Sequence, residues 1–322
     1  MEYIFLKNSD LKVSRLCMGG CPMGGHGWGE VNENDLIHAV HTAIDMGLNF
    51  FDTADIYGIG KSEETLGKAL KGNRSKAIIA TKFGVRIQNG KTFYDNSKDW
   101  INTAVEESLK RLDTDYIDLY HIHYRDDQTS LDSVIESLEE LKEKGYIRYY
   151  GLSNIHKEHM EEMKAYIGKF ISFQDEYSLA CRKNEKDMFE LSQTLQLTPM
   201  TWGSLGQGIL SGKYDSNSTF DTNDRRSREA YVNFHGEKLI KNLEIVEIMK
   251  KIALDNGKTL PSIAIRFILD YIRDSVVIVG VKNAAQLITN TNAMGFHLSK
   301  EHMEQLLKVS YEDAKAPESR LE

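Results

Sequence analysis

The sequence predicts a single (β/α)8 barrel of the TIM type, α/β in class, and three observations predict it. Short β-rich runs alternate with longer amphipathic segments about eight times, at intervals of roughly 40 residues. No proline-rich or Gly/Ser linker interrupts the series, so one domain over residues 1–322 is expected, although a prior of ~150 residues per domain would suggest two. One long irregular stretch, from about Gly212 to Gly236, follows the seventh strand and reads as a functional loop or lid.

The elements follow in order. YIFLKNSDLKV is an N-terminal β-hairpin, and LCMGG is the first barrel strand. NENDLIHAVHTAIDMG opens on Asn and Asp cap candidates and stops at Gly47, the punctuation of a helix. NFFDTA is the second strand, and a helix from about Ser62 to Lys71 leads to the third, AIIATKFG. SKDWINTAVEESLKRL precedes YIDLYHIH, and SVIESLEELKEKG precedes IRYYGLSN. The helical pattern KEHMEEMKAY precedes ISFQDEYSL, EKDMFELSQTLQ precedes PMTWGSLG, and one long helical region precedes SVVIVGVK.

Composition narrows the function. Apolar residues make up 41% and charged residues 27%, with 4 prolines, as in a globular chain. Forty basic against 48 acidic residues leave a net charge of -8 with no like-charged block, which disfavours a nucleic-acid partner. The N-terminus lacks the basic and apolar regions of a signal peptide, and no apolar run approaches the ~20 residues of a membrane span, so a cytoplasmic protein is expected. Three cysteines, Cys17, Cys21 and Cys181, fit free thiols in a reducing compartment, and no metal site is read from them.

Barrels of this type place chemistry at the C-terminal ends of their strands. Strand two ends at Asp52 with Tyr57 just beyond, strand three at Lys82 and strand four at His123. Alternation puts Lys82 on one face with Ala80 and Ile78, and His123 with His121 and Leu119. Singly, these residues read as a loop cap, a wet phenol, a solvated amine and a core imidazole. Together they form a proton-donating site for a carbonyl: the ammonium lowers the phenol's pKa from ~10, the carboxylate holds the ammonium, and the imidazole orients a substrate oxygen.

GLNFFDTADIYGIGKSEETLGKAL, ATKFG and VEESLKRLDTDYIDLYHIH resemble the signatures of the aldo-keto reductase superfamily, and the likeness covers essentially the whole chain. It is nearest the bacterial and potassium-channel β-subunit branch. The resemblance implies that Asp52, Tyr57, Lys82 and His123 are the catalytic tetrad, with Tyr57 as general acid and His121 one layer deeper and structural. It implies NADPH/NADP+, with NADH possible, as the cofactor, bound without a GxGxxG turn. Ser153, Asn154 and Gln174 would hold the nicotinamide carboxamide and Trp202 would stack on its ring. Gly203, Ser204, Leu205, Gly206 and Gln207, with Lys213 and Arg225 or Arg226, would meet the diphosphate, and Gly280, Lys282, Gln286 and Asn290 the adenosine end. Gly20, Cys21 and Asp52 complete the cofactor set. Gly203-Ser204 replaces the family's usual Ser-Pro, and Thr289 stands where an acid is common. Trp28, Tyr57, His123 and Tyr124 would line the substrate pocket, with Arg125 a candidate for reading an anionic substrate.

The function expected is NADP(H)-dependent reduction of a small aldehyde or ketone. The runner-up is a nucleotide-binding regulatory subunit, against which His123 speaks because the channel subunits carry Asn there. A Schiff-base enzyme would need Lys82 neutral, and Asp52 opposes that. Oligomeric state is not read from the sequence.

Overall fold

A computed structural model describes residues 1–25 and 27–311. The N-terminal hairpin forms from β1 (Tyr3–Phe5) and β2 (Lys12–Ser14), paired antiparallel. The barrel strands are β3 (Leu16–Gly19), β4 (Phe50–Asp52), β5 (Ile78–Phe83), β8 (Ile117–Ile122), β9 (Ile147–Ser153), β10 (Ser172–Glu176), β11 (Thr198–Trp202) and β12 (Val276–Gly280). Each pairs in parallel with the next in this order, and β12 closes the circle on β3 through Val277 opposite Leu16.

The helices are α1 (Glu33–Asp45), α2 (Lys61–Leu70), α3 (Lys98–Leu112), α4 (Leu131–Glu143), α5 (Met160–Met163), α6 (Glu185–Thr194), α7 (Gly236–Asn256), α8 (Leu260–Tyr271), α9 (Ala284–Thr291) and α10 (Lys300–Val309). Side-chain caps start several of them. Asn32 accepts from the Asn34 and Asp35 amides, Ser97 from Trp100 and Ser130 from Ser133, each satisfying a helix-start amide that has no partner within its helix. Among the described residues, no helix is long and apolar enough to cross a membrane.

Two apolar layers follow from the strand alternation. Cys17, Phe50, Ala80, Leu119, Met200 and Ile278 fill the barrel, and Leu6, Leu11 and Val13 of the hairpin plug its lower end. The opposite strand faces, such as Phe51, Ile79, Phe83 and Tyr120, pack under the helices. The upper barrel is left for polar side chains.

Four expectations are corrected. KEHMEEMKAY is no continuous helix: α5 is a single turn between 3-10 turns. The long helical region is two helices, broken where Gly257 turns left-handed (φ +58°) and Thr259 caps α8. Strand three runs one residue past Lys82, and strand four ends one residue before His123. A hairpin unread from the sequence, β6 (Val85–Gln88) with β7 (Lys91–Tyr94), stands on the upper rim after β5.

Candidate active site

Asp52, Lys82 and His123 come from three neighbouring positions on the barrel rim, and the β4–α2 turn brings Tyr57 over them. That turn is pinned by a close backbone contact: a Cβ on Gly58 (φ +64°) would lie 2.2 Å from the Gly24 carbonyl oxygen, so only glycine fits. Ser62 Oγ donates to the Gly20 carbonyl oxygen at 2.8 Å, tying α2 to the end of β3. Lys82 Nζ donates to Asp52 Oδ1 at 2.7 Å and to the Thr53 carbonyl oxygen at 2.9 Å, and it lies 3.4 Å from the Tyr57 hydroxyl. Gln174 Nε2 donates to Asp52 Oδ2 at 2.6 Å, so both carboxylate oxygens are satisfied. The Tyr57 and His123 rings meet edge to face, 5.8 Å between centres.

The protonation states differ from the expected tuning. Burial, with the Cys21, Asp52 and Asp55 groups nearby, pushes the Tyr57 phenol well above its ordinary value, and the positive charge of Arg225 does not reverse this. Lys82 gives its shortest bonds to Asp52 and Thr53 rather than to the phenol. The phenol therefore rests as the protonated acid. Burial and the Lys82 charge push His123 well below its usual range, leaving a neutral imidazole whose Nδ1 is buried without a partner among the described residues. His121 is likewise depressed by burial and then by Lys82, and its Nε2 bonds the Ser172 hydroxyl at 3.1 Å, a structural role one layer down.

Around this group lie the residues expected to hold a dinucleotide. Asn154, left-handed at φ +55°, donates through Nδ2 to the His123 carbonyl oxygen at 3.1 Å and to Ser153 Oγ at 3.0 Å. Trp202 ends β11 half-buried, and beyond it Gly203, Gly206, Gln207 and Gly208 all have positive φ. The amides of Gly203, Ser204 and Leu205 donate to no group among the described residues. Ser204 Oγ is turned inward onto the Thr201 carbonyl oxygen (3.0 Å), which leaves its backbone amide as the outward donor. The Gln207 side chain is held by Glu176 and Asn233. On the β12 side, Gln286 Oε1 accepts the Lys282 amide at 2.9 Å, the Lys282 ammonium donates to the Trp28 carbonyl oxygen, Gly280 packs on Pro22, and Asn290 is buried.

The long loop crosses the mouth, and its two adjacent arginines part. Arg226 is committed to Asp224 and Tyr214, its guanidinium over the rings of Tyr214, Phe220 and Phe234. Arg225 turns the other way. Its amide donates to the Gly27 carbonyl oxygen at 2.9 Å, and its side chain lies against Gly27. Next to it, Trp28 meets Tyr231 edge to face at 6.0 Å and donates from Nε1 to Cys21 Sγ at 3.3 Å. Cys17, Cys21 and Cys181 are free thiols. Tyr124 stacks on His123 (5.2 Å), whereas Arg125 is spent on Glu162 at 3.1 Å.

The Aldo/keto reductase family model matches residues 15–310. The chain belongs to the aldo/keto reductase family. Aldo-keto reductase YhdN of Bacillus subtilis (strain 168) is 32% identical over 324 aligned positions, covering 99% of this chain and 97% of that protein. The glycerol dehydrogenase AKR11B4 of Gluconobacter oxydans superposes with a TM-score of 0.86 at 30% identity, covering 95% of this chain and 94% of that one. A Klebsiella pneumoniae aldo-keto reductase solved in complex with NADPH superposes with a TM-score of 0.72 at 25% identity, covering 96% of each chain.

Two groups in this aldo-keto reductase escaped the sequence reading. Tyr94 of the β6–β7 hairpin stacks on Tyr124 at 4.8 Å, extending the aromatic wall that starts at His123. Asn89-Gly90 between alternating runs was its signal, since both residues have positive φ and Asn-Gly favours that tight turn. Beneath the tetrad, Glu63 takes Thr81 Oγ1 on one oxygen and Arg111 Nε on the other, each at 2.6 Å. Burial, then Glu63, pushes the nearby Asp55 carboxyl well above the usual range. Nothing in the spacing of Glu63 and Arg111 announces that pair.

Proposed function

We propose that this reductase works in the cytoplasm with NADPH or NADP+ on a small aldehyde or ketone, with Tyr57 as proton donor. The 3.4 Å approach of the Lys82 ammonium to the Tyr57 hydroxyl carries the reading. The ammonium stabilises negative charge appearing on the phenol oxygen as its proton leaves, while Asp52 and Thr53 keep it in place. His123, neutral, edge to face with Tyr57 and stacked on Tyr124, orients the carbonyl oxygen beside the phenol.

The residues present fit a dinucleotide. The unpaired amides of Gly203, Ser204 and Leu205 offer donors to negative charge, and Lys282, on which the Lys213 charge acts, adds a cation. Ser153 and Asn154 would hold the carboxamide beside Gln174, and Trp202 would cover the ring. The bound nicotinamide supplies the hydride. The NADPH-bound Klebsiella relative supports this cofactor, though NADH remains open to the same site.

The test is NADPH oxidation against a panel of small aldehydes, ketones and sugars, with a parallel Tyr57→Phe preparation. Carbonyl-dependent oxidation that Tyr57→Phe abolishes is expected. Full turnover without the hydroxyl removes Tyr57 from the mechanism.

A further inference from the structure

The β6–β7 hairpin has one face packed down and one left open. Its register pairs Arg86 with Phe93, and the Arg86 guanidinium lies over the rings of Phe93 (5.1 Å) and of Trp100 in α3 (4.2 Å), so this face meets the body of the protein. Alternation sends the neighbouring pairs, Val85 with Tyr94 and Ile87 with Thr92, to the opposite face. There Ile87 is 50% exposed and Tyr94 40%, a large apolar surface left in water.

That face is continuous with the reacting centre. Tyr94 stacks on Tyr124 at 4.8 Å with the rings 14° from parallel, and Tyr124 stacks on His123 at 5.2 Å and 21°. The row is also braced. Asn96, fully buried just beyond Tyr94, donates from Nδ2 to the Tyr124 carbonyl oxygen at 3.1 Å. Its amide gives to Asp126 Oδ2 at 2.8 Å, and its Oδ1 takes the Asp126 amide at 2.9 Å. The Asp95 amide closes the base of the hairpin on the Gly84 carbonyl oxygen at 3.0 Å, and Asp95 Oδ2 holds Arg86 at 2.6 Å. A ring fixed before binding loses little freedom when a ligand stacks on it.

Resting on the carbonyl-reductase reading, we propose that Tyr94 determines specificity, giving this enzyme a preference for aldehydes and ketones that carry a flat aromatic ring on a short chain away from the carbonyl carbon. A ring bonded directly to the carbonyl lies beside His123 and Tyr124, one ring spacing short of Tyr94, and a short saturated chain carries it to the hairpin. There it packs offset or edge-on against Tyr94 and covers apolar surface that is otherwise wet. The carbonyl oxygen stays beside Tyr57 and His123, so the chemistry is unchanged and the hairpin supplies binding alone.

The experiment measures kcat and KM with the full chain at saturating NADPH for propionaldehyde, 3-phenylpropionaldehyde and its saturated counterpart 3-cyclohexylpropionaldehyde. The phenyl compound should exceed propionaldehyde in kcat/KM by roughly 10-fold, expressed through KM, from the apolar area covered. It should exceed the cyclohexyl compound by about 2- to 10-fold, as aromatic pairing supplies beyond area. Tyr94→Ala should remove the advantage over the cyclohexyl compound, and Tyr94→Phe, which keeps the ring, should retain it. Equal kcat/KM for the phenyl and cyclohexyl compounds in the unaltered enzyme overturns the proposal. So does a loss in Tyr94→Ala of the same factor for propionaldehyde and for the phenyl compound, because that assigns Tyr94 to holding Tyr124 and His123 in place. Absence of turnover with every carbonyl tried strikes the reductase reading and this proposal with it, whereas turnover without a ring preference strikes the specificity of Tyr94 alone.

Discussion

The Lys82 ammonium lies 3.4 Å from the Tyr57 hydroxyl and 5.0 Å from the centre of its ring. That placement has two effects. It puts positive charge where a departing proton leaves negative charge, and it costs Lys82 nothing of its bonds to Asp52 and Thr53. The phenol is a strongly held acid at rest, and in the proposed mechanism it becomes a stabilised anion only while it reacts. Transition-state stabilisation of this kind raises turnover and leaves ground-state binding alone.

Tyr57→Phe removes the proton and little else, since the ring keeps its edge against His123. Turnover should fall by about 10²- to 10⁴-fold, with NADPH affinity within about twofold of the original. Steady-state kinetics paired with fluorescence titration of NADPH separate the two quantities.

Removing one partner of the buried pair below the site should act on stability first. Glu63 is fully buried and spends its two oxygens on Thr81 and Arg111. Arg111→Met leaves that carboxylate without its cation, and a stranded buried charge costs about 3–5 kcal/mol. Denaturant unfolding measures the loss, and a change under about 1 kcal/mol would show that the carboxylate finds another partner.

Much of this was legible in the residues, and the reason is period two. Asp52, Lys82 and His123 could be placed on one rim because each continues the inward-facing alternation of a short apolar strand, His123 one residue past its end. What lay hidden depends on direction in space. Arg225 and Arg226 are adjacent in sequence yet turn to different neighbours, because the Asp224 carboxylate captures only the second. The Tyr57 phenol was expected to fall and instead rises, since burial is invisible in a motif. The Tyr94 wall needed the hairpin, whose Asn-Gly signal was present and unread.

Ile59 offers a stabilising change beside the site. It is a β-branched residue held left-handed at φ +54° and is 80% exposed, so it bears backbone strain without burial in return. Strain of about 1–3 kcal/mol is relieved by Ile59→Gly, and the extra freedom of glycine in the unfolded chain returns about 0.5–1 of it. A net gain of about 1 kcal/mol and a higher Tm are expected in calorimetry. A lower Tm would show that the neighbouring turn relies on the isoleucine.

Asp175 should give the protein a pH-dependent stability. Burial holds its carboxyl up at about 8, against an unfolded value of about 3.9; Oδ2 has no hydrogen bond among the described residues, the His156 Nδ1 lying 3.6 Å away. Between those pH values the folded state binds the proton that the unfolded state has released. Stability from this group is therefore complete below about pH 4, declines as pH rises toward 8, and is flat above. Asp175→Asn keeps the acceptor that takes Asn184 and the Glu176 amide. It should flatten the decline and make the variant more stable than the original protein above pH 8, as unfolding curves across that range will show.

Lys282 is the residue on which to test the preference between the two nicotinamide cofactors. A 2′-phosphate brings about two negative charges, which Lys or Arg ordinarily meets. Lys282 lies just after β12, its amide held by Gln286, and its ammonium is already used on the Trp28 carbonyl oxygen. Burial, then Arg226, lowers its pKa, so a phosphate arriving there relieves the repulsion among Lys213, Arg226 and Lys282. If the ammonium turns to the phosphate, Lys282→Ala weakens NADPH by about 1.5–3 kcal/mol and leaves NADH nearly untouched. If it serves chiefly to strap the Trp28 segment, both nucleotides weaken together. Equilibrium titration of the two nucleotides separates these outcomes, and the difference between their losses, rather than either loss alone, measures the contact with the phosphate.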